Sequence, residues 1–156
     1  MTSLFYFLAL YAAHLCGDVL TYFPWLARAK RSEDKERKAT AVLTHCLIHA
    51  GFVLLWFWLF NLPFALLAAS YILLVHFTID FCRVSFEKKL IAQGELVIFH
   101  KKEIFLWLLR REEGDVSRFM NNHFTKWASI NIADQSMHLL AILGLVLLLS
   151  DVQSAP

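Results

Sequence analysis

Four apolar stretches of membrane-spanning length constrain this chain before any motif is read. A helix crossing the hydrocarbon of a bilayer needs about 20 predominantly apolar residues, and the segments at roughly 4–26, 41–60, 63–83 and 128–149 meet that length. Backbone N–H and C=O groups in lipid must pair within the segment, so each run is expected to be helical. The expectation is an all-α integral membrane four-helix bundle forming a single domain over residues 1–156. Composition agrees, with 58% hydrophobic residues against roughly 45–50% in soluble domains. The opening run MTSLFYFLALYAAHLCGDV carries His14 and Asp18 and lacks the basic start and clean cleavage site of a signal peptide, so it reads as an uncleaved span.

The basic residues set an expected orientation. Of fifteen Lys and Arg, six lie between the first two spans and nine between Arg83 and Lys126, while both ends and the Asn61-Leu62-Pro63 turn carry none. Because cytoplasmic loops hold the excess of positive charge, both basic segments are expected in the cytoplasm and both termini on the periplasmic or extracellular side. Pro63 is expected to open the third helix. Within the longer basic segment, GELVIFHKKEIFLWLLRREEGD is interrupted by His100, Lys101, Lys102 and Glu103. It reads as an amphipathic helix on the cytoplasmic surface between the third and fourth spans, followed by a short helix through RFMNNHF. RAKRSEDKERK reads as a solvated loop against anionic headgroups.

Several function classes drop out here. The net charge of +2 is small, and no Gly-rich phosphate loop, CxxC or basic stripe with interleaved aromatics is present. Nucleic-acid binding and soluble nucleotide chemistry are therefore not expected. Cys16, Cys46 and Cys82 all fall within spans, and read as reduced packing residues. Trp25, Trp56, Phe57, Trp58 and Phe60 read as lipid-facing packing and interface anchors. His100 and His123 read as ordinary surface histidines.

Polar residues inside the spans are few and patterned. His14 and Asp18 lie on the first, His45 and His49 on the second, His76 and Asp80 on the third, Asp134 and His138 on the fourth. Every pair has the spacing i, i+4, which sets two side chains on one helix face about 6 Å apart along the axis. With the expected orientation, all eight residues fall in the cytoplasmic half of the bilayer although the helices alternate in direction. Ionisable groups in lipid are costly and mark function by default. Imidazole and carboxylate together are ligands for zinc, iron or manganese, and facing helices of a bundle are a known way to build two-metal sites. Eight groups exceed the four that close a structural site, so two divalent ions are expected, zinc first, with iron or manganese as alternatives. One ion, with the remaining groups binding substrate or orienting ligands, is the second arrangement.

Gln135 and Asn131 are candidates to hydrogen-bond the ligands from behind. Lys30 and Arg83, at the cytoplasmic ends of their helices, are candidates to bind a substrate phosphate.

The motifs HLCGD with Lys30, HCLIH, HFTIDFCR and DQSMH resemble those of the bacterial inner-membrane proteins catalogued as domain of unknown function 3307, and touch all four spans. Where that family tends to have Gln four residues after the first Asp, this chain has Tyr22. The resemblance implies a multi-pass protein of the bacterial inner membrane and no particular activity. The helical HxxxD and HxxxH pairs are also similar, in site chemistry alone, to those of the all-α zinc-dependent phospholipase C group.

The reading these features support is a membrane-embedded metal-dependent hydrolase of a lipid or lipid-linked phosphoester. Membrane lipid is its partner, with Asp18 or Asp134 as general base. Alternatives are a metal or proton transporter, a di-iron membrane oxidase, and a structural membrane subunit. A homo-oligomer or a partner protein in the same membrane is compatible with each.

Overall fold

A computed structural model describes residues 3–21, 23–98, 109 and 115–154, with side chains in the last segment from 123 to 153. Five helices make up the described chain: α1 (Ser3–Leu20), α2 (Pro24–Lys30), α3 (Lys35–Leu59), α4 (Ala65–Ala92) and α5 (Asp115–Ser154). No strand occurs among the described residues. Four of the helices are long and apolar enough to cross a membrane, spanning Ser3–Leu20, Lys35–Leu59, Ala65–Ala92 and His123–Gln153. Leu8, Leu47, Leu66, Leu74, Leu140 and Leu147 are each more than half exposed on the outer faces. An apolar surface of that extent is stable against lipid and not against water. The molecule is an all-α polytopic membrane protein.

Local chemistry explains where the helices stop, and corrects some expected boundaries. The first span ends at Leu20, not near 26. The Thr21 hydroxyl donates to the Gly17 carbonyl at its last turn, and Pro24, with Phe23 as an extended cap, opens the separate short helix α2. Asp34 caps α3 by accepting from the Glu36 backbone N–H at 2.9 Å. The other end of α3 closes with Asn61 left-handed at φ 48°. There Leu62 N–H reaches the Phe57 carbonyl at 2.8 Å and Asn61 N–H the Trp58 carbonyl at 3.2 Å. This is the paired 6→1 and 5→2 pattern of a helix stop, and Leu62 folds back into the same core cluster as Phe57. Pro63 does not open the next helix: Phe64 caps α4, and helical residues begin at Ala65. The RFMNNHF stretch is not a separate helix but part of α5. The first residues of the expected surface helix, 94–98, are described and are not helical, while most of the rest of it, with His100, and Tyr22 lie outside the described residues.

The long helices pack in a ring, α1 against α3, α3 against α4, α4 against α5, and α5 back against α1, with α2 laid on α3. Ala9, Ala13, Ala50, Ala68 and Ala69 sit in the core cluster, where small residues let backbones approach closely. Tyr6, Leu10, Val53, Phe57, Ile142, Leu145 and Leu149 fill the rest. On every helix this apolar stretch lies to one side of the His/Asp pair, and the sides alternate with helix direction. One half of the bundle is therefore a hydrocarbon core and the other a polar chamber. Phe57, expected to face lipid, is instead fully buried, its ring centroid 6.0 Å from that of Tyr6.

Phe57→Ala should lower unfolding free energy in micelles by about 3–5 kcal/mol, and leave the chamber two turns away unchanged. Denaturant titration followed by tryptophan fluorescence, with histidine side-chain NMR as the local probe, checks both halves of that expectation.

Candidate functional site

All eight polar residues named from the sequence meet in the chamber. His14, His49, His76, Asp80, Asp134 and His138 are buried, and His45 and Asp18 partly so. His76 is the hub: its ring centroid lies 4.1 Å from those of His49 and His138, 5.3 Å from His45 and 5.5 Å from His14. Five imidazoles from four helices thus pack as one cluster.

The three carboxylates differ in what they face. Asp18 is surrounded by imidazole, with Nε2 of His14 at 3.4 Å, of His49 at 3.4 Å and of His45 at 3.6 Å. Among the described residues no Lys or Arg pairs with it. Asp80 accepts from Lys30 Nζ at 2.7 Å, and Asp134 from Arg83 Nη1 at 2.7 Å. Arg83 is splayed across three partners, with Nη2 on Asn131 Oδ1 and Nε on Glu87 Oε1, each at 2.9 Å. Glu87 is 1% exposed and also accepts from Arg31 at 2.9 Å. Lys30 and Arg83, expected to reach for a substrate phosphate, are thus engaged with the protein's own carboxylates.

Glu87 escaped the sequence reading because its span was taken to end before it, and Arg31 because RAKRSEDKERK was read as a solvated loop. The signal was present as Arg83 and Glu87 at i, i+4. Gly17 also escaped it. A Cβ there would run into the His49 ring, so the glycine inside HLCGD is the notch that admits the imidazole of the neighbouring helix.

Hydrogen bonding leaves specific atoms without partners. His49 Nδ1, His76 Nε2, His138 Nε2 and Asp134 Oδ1 are all buried with none, which is costly for a finished structural network. His138 has a defined tautomer. Its Nδ1 lies 2.9 Å from the Asp134 carbonyl, an oxygen that can only accept, so Nδ1 carries a proton and in the neutral ring Nε2 holds the lone pair. That nitrogen sits 3.8 Å from Asp80 Oδ1. Gln135, on the same helix, brings Oε1 to 3.3 Å from His14 Nε2 and donates to Asp134 Oδ2 at 3.4 Å.

Two sets of atoms can be tested for fit to a divalent ion. Asp18 Oδ1, His45 Nε2 and His49 Nε2 form a triangle with sides of 3.2, 3.4 and 3.6 Å. Ligands about 2.0–2.1 Å from a tetrahedral ion stand about 3.3 Å apart, so this face fits zinc. Without an ion, the 3.2 Å edge serves as an N–H···N hydrogen bond. The second set, Asp80 with His45 and His76, or with Asp134 and His138, is wide enough to hold an ion. Its carboxylates, however, already carry the cations Lys30 and Arg83. Asp18, His14, His45 and His49 are thus joined around one carboxylate, and His76, Asp80, Asp134 and His138 around a pair of internal salt bridges. His123 lies on the amino-terminal part of α5, outside both groups.

Fold and cluster together define a class: a polytopic helical membrane protein with a buried His/Asp centre assembled from all four spans. Within that class the chain belongs to the family described as protein of unknown function DUF3307, whose model matches residues 6–155 and so contains the entire cluster. No curated protein and no solved structure matches the chain.

Gly17→Ala is expected to cost about 1–3 kcal/mol by overpacking, and to shift the side-chain ¹⁵N resonances of His49. Gly51→Ala on α3, where nothing lies within 4 Å of an added methyl, should do neither.

Proposed function

We propose that the protein is a metal-dependent hydrolase of a lipid phosphoester, with one divalent ion held by Asp18, His45 and His49. The observation that carries this is the contrast among the carboxylates. Asp18 faces imidazoles alone, whereas Asp80 and Asp134 each have a cationic side chain. A single ion at Asp18 neutralises the remaining charge, and Lys30 takes the place of a second. Zinc is favoured by the triangle's dimensions, with iron or manganese as alternatives.

Such an ion supplies Lewis-acid polarisation of a phosphoryl oxygen and an acidified water as nucleophile. The chain's own residues supply the rest. In its neutral form His138 offers Nε2, which has no hydrogen-bond partner, as the proton acceptor, reached from the Asp18 side through the ring of His76 that stands between them, whereas Asp134 Oδ2 is already bound by Arg83 and Gln135. His14, fixed between Asp18 and Gln135, holds the carboxylate in place from the side away from His45. The protein sits in the bacterial inner membrane with the site on the cytoplasmic side and both termini outside. The separation of the basic segments supports this.

The alternatives fit less well. A di-iron oxidase requires carboxylates free to hold two ions, and two of the three are engaged. Secondary transporters typically break helices at the binding site, whereas α1, α3, α4 and α5 run unbroken through the cluster. A purely structural network gives no reason for three ligand atoms to stand at the spacing of a tetrahedral ion's ligands.

Protein purified in detergent without chelator should contain close to one zinc, iron or manganese per chain by mass spectrometry, a tetrahedral open site being the arrangement expected of a catalytic ion. Asp18→Asn, or His45→Ala with His49→Ala, should lose it. Lys30→Met should raise the content toward two. His138→Ala should keep the ion and slow hydrolysis of phosphatidylglycerol in mixed micelles by about 10²–10⁴. Metal-free wild-type protein overturns the proposal.

A further inference from the structure

Between α1 and α5 a cleft of about 370 Å³ runs along the flank of the bundle, with Tyr11 and His14 on one wall and Asn131, Gln135, Leu139 and Ile142 on the other. Both walls belong to helices of membrane-spanning character, so the mouth of the cleft opens on hydrocarbon. Its volume lies at the small end of the usual range for sites of small ligands, roughly 300–1,000 Å³.

Side-chain polarity falls along the cleft, with Ile132 the one apolar side chain at its polar end. Asn131, Gln135 and His14 lie toward the end of the bundle that carries the basic segments, and Ser136 adds a hydroxyl beside them. Tyr11, Leu139 and Ile142 lie toward the middle of the bundle. From Asn131 to Ile142 the helix rises about 16 Å, close to one leaflet of a hydrocarbon layer about 30 Å thick. The gradient and its length match a lipid molecule standing in that leaflet. The polar end also reaches the site directly, since His14 Nε2 lies 3.3 Å from Gln135 Oε1 and 3.4 Å from Asp18 Oδ2.

The other approach to the cluster is narrowed, although the Asp18 side chain remains 30% exposed. On the basic side, salt bridges of Lys30 with Asp80 and of Arg83 with Asp134 and Glu87 cross it, with every one of these side chains less than a quarter exposed. The short helix α2 lies on that side against α3.

We infer that this cleft seats one membrane phospholipid, with its phosphate group level with His14 and Gln135 and an acyl chain along Tyr11, Leu139 and Ile142. The substrate then arrives sideways from the leaflet and not from water. The inference rests on the hydrolase reading for what happens to the lipid, and on the cleft alone for where it sits.

The test uses full-length protein in phosphatidylglycerol nanodiscs doped with phosphatidylglycerol carrying a diazirine in mid-chain, photolysed and mapped by peptide mass spectrometry. Leu139 and Leu54 provide a matched comparison, both being 38% exposed, one in the cleft and the other on the outer face of α3. Adducts at Leu139 are expected to exceed those at Leu54 severalfold. Ser136→Trp, which fills the cleft from its rim, should bring adducts at Leu139 down to the Leu54 level. Equal labelling of the two leucines in the wild-type protein, the result for a site that takes only free phosphate, overturns the inference. Ion content measured on the same samples keeps the two readings apart. Cleft labelling in metal-free protein sinks the hydrolase and leaves the lipid seat standing, whereas metal-loaded protein without enrichment sinks the seat alone.

Discussion

The structure depends on the cost of placing charged and polar side chains within lipid-facing walls. A carboxylate or imidazole placed there finds compensation only in other side chains, because an isolated buried charge is prohibitively costly. No single helix meets that demand, since none of the three carboxylates has a Lys or Arg partner on its own helix. Asp18 needs His45 and His49 from α3, Asp80 needs Lys30 from α2, and Asp134 needs Arg83 from α4. The polar chamber consequently ties all five helices to one register, and the apolar half fills the space that register leaves.

Within the chamber the division of charge carries the chemistry. Arg83 and Arg31 converge on the buried Glu87, and Arg83 also clamps Asp134, so α2, α4 and α5 are joined at the basic end. What this frame leaves uncompensated is concentrated around Asp18, on the side of the bundle where α1 meets α3. The reactive candidate, His138 Nε2, lies against the other group of residues. In the proposed reading the residues that would hold the ion and the one that would take the proton stand on different helices, with the ring of His76 between them.

Much of this was legible in the sequence for a physical reason: both signals it uses are periodic. Apolar runs of bilayer length specify spans, and a spacing of four specifies one helix face, so the eight cluster residues could be named without coordinates. The lysine and arginine roles were not legible. Lys30 and Arg83 stood out by position, but whether a flexible cation faces a ligand or an internal carboxylate depends on which helix lies opposite. Glu87 fell beyond the expected third span, 63–83, because hydropathy drops there, although the helix α4 continues to Ala92. Phe57 read as a lipid-facing aromatic because an apolar helix has no polar face to reveal its orientation, and only the packing against Tyr6 assigns its side.

By itself, then, the sequence determined that this is a helical membrane protein, how many spans it has, and which eight side chains share the polar faces of those spans. Local chemistry is sufficient for that, because backbone pairing in lipid is satisfied within each helix. Tertiary structure alone decided which carboxylate meets which cation, that a glycine makes room for His49, and that a graded cleft opens between α1 and α5. Those properties belong to pairs of helices, and their energies arise only where two surfaces meet.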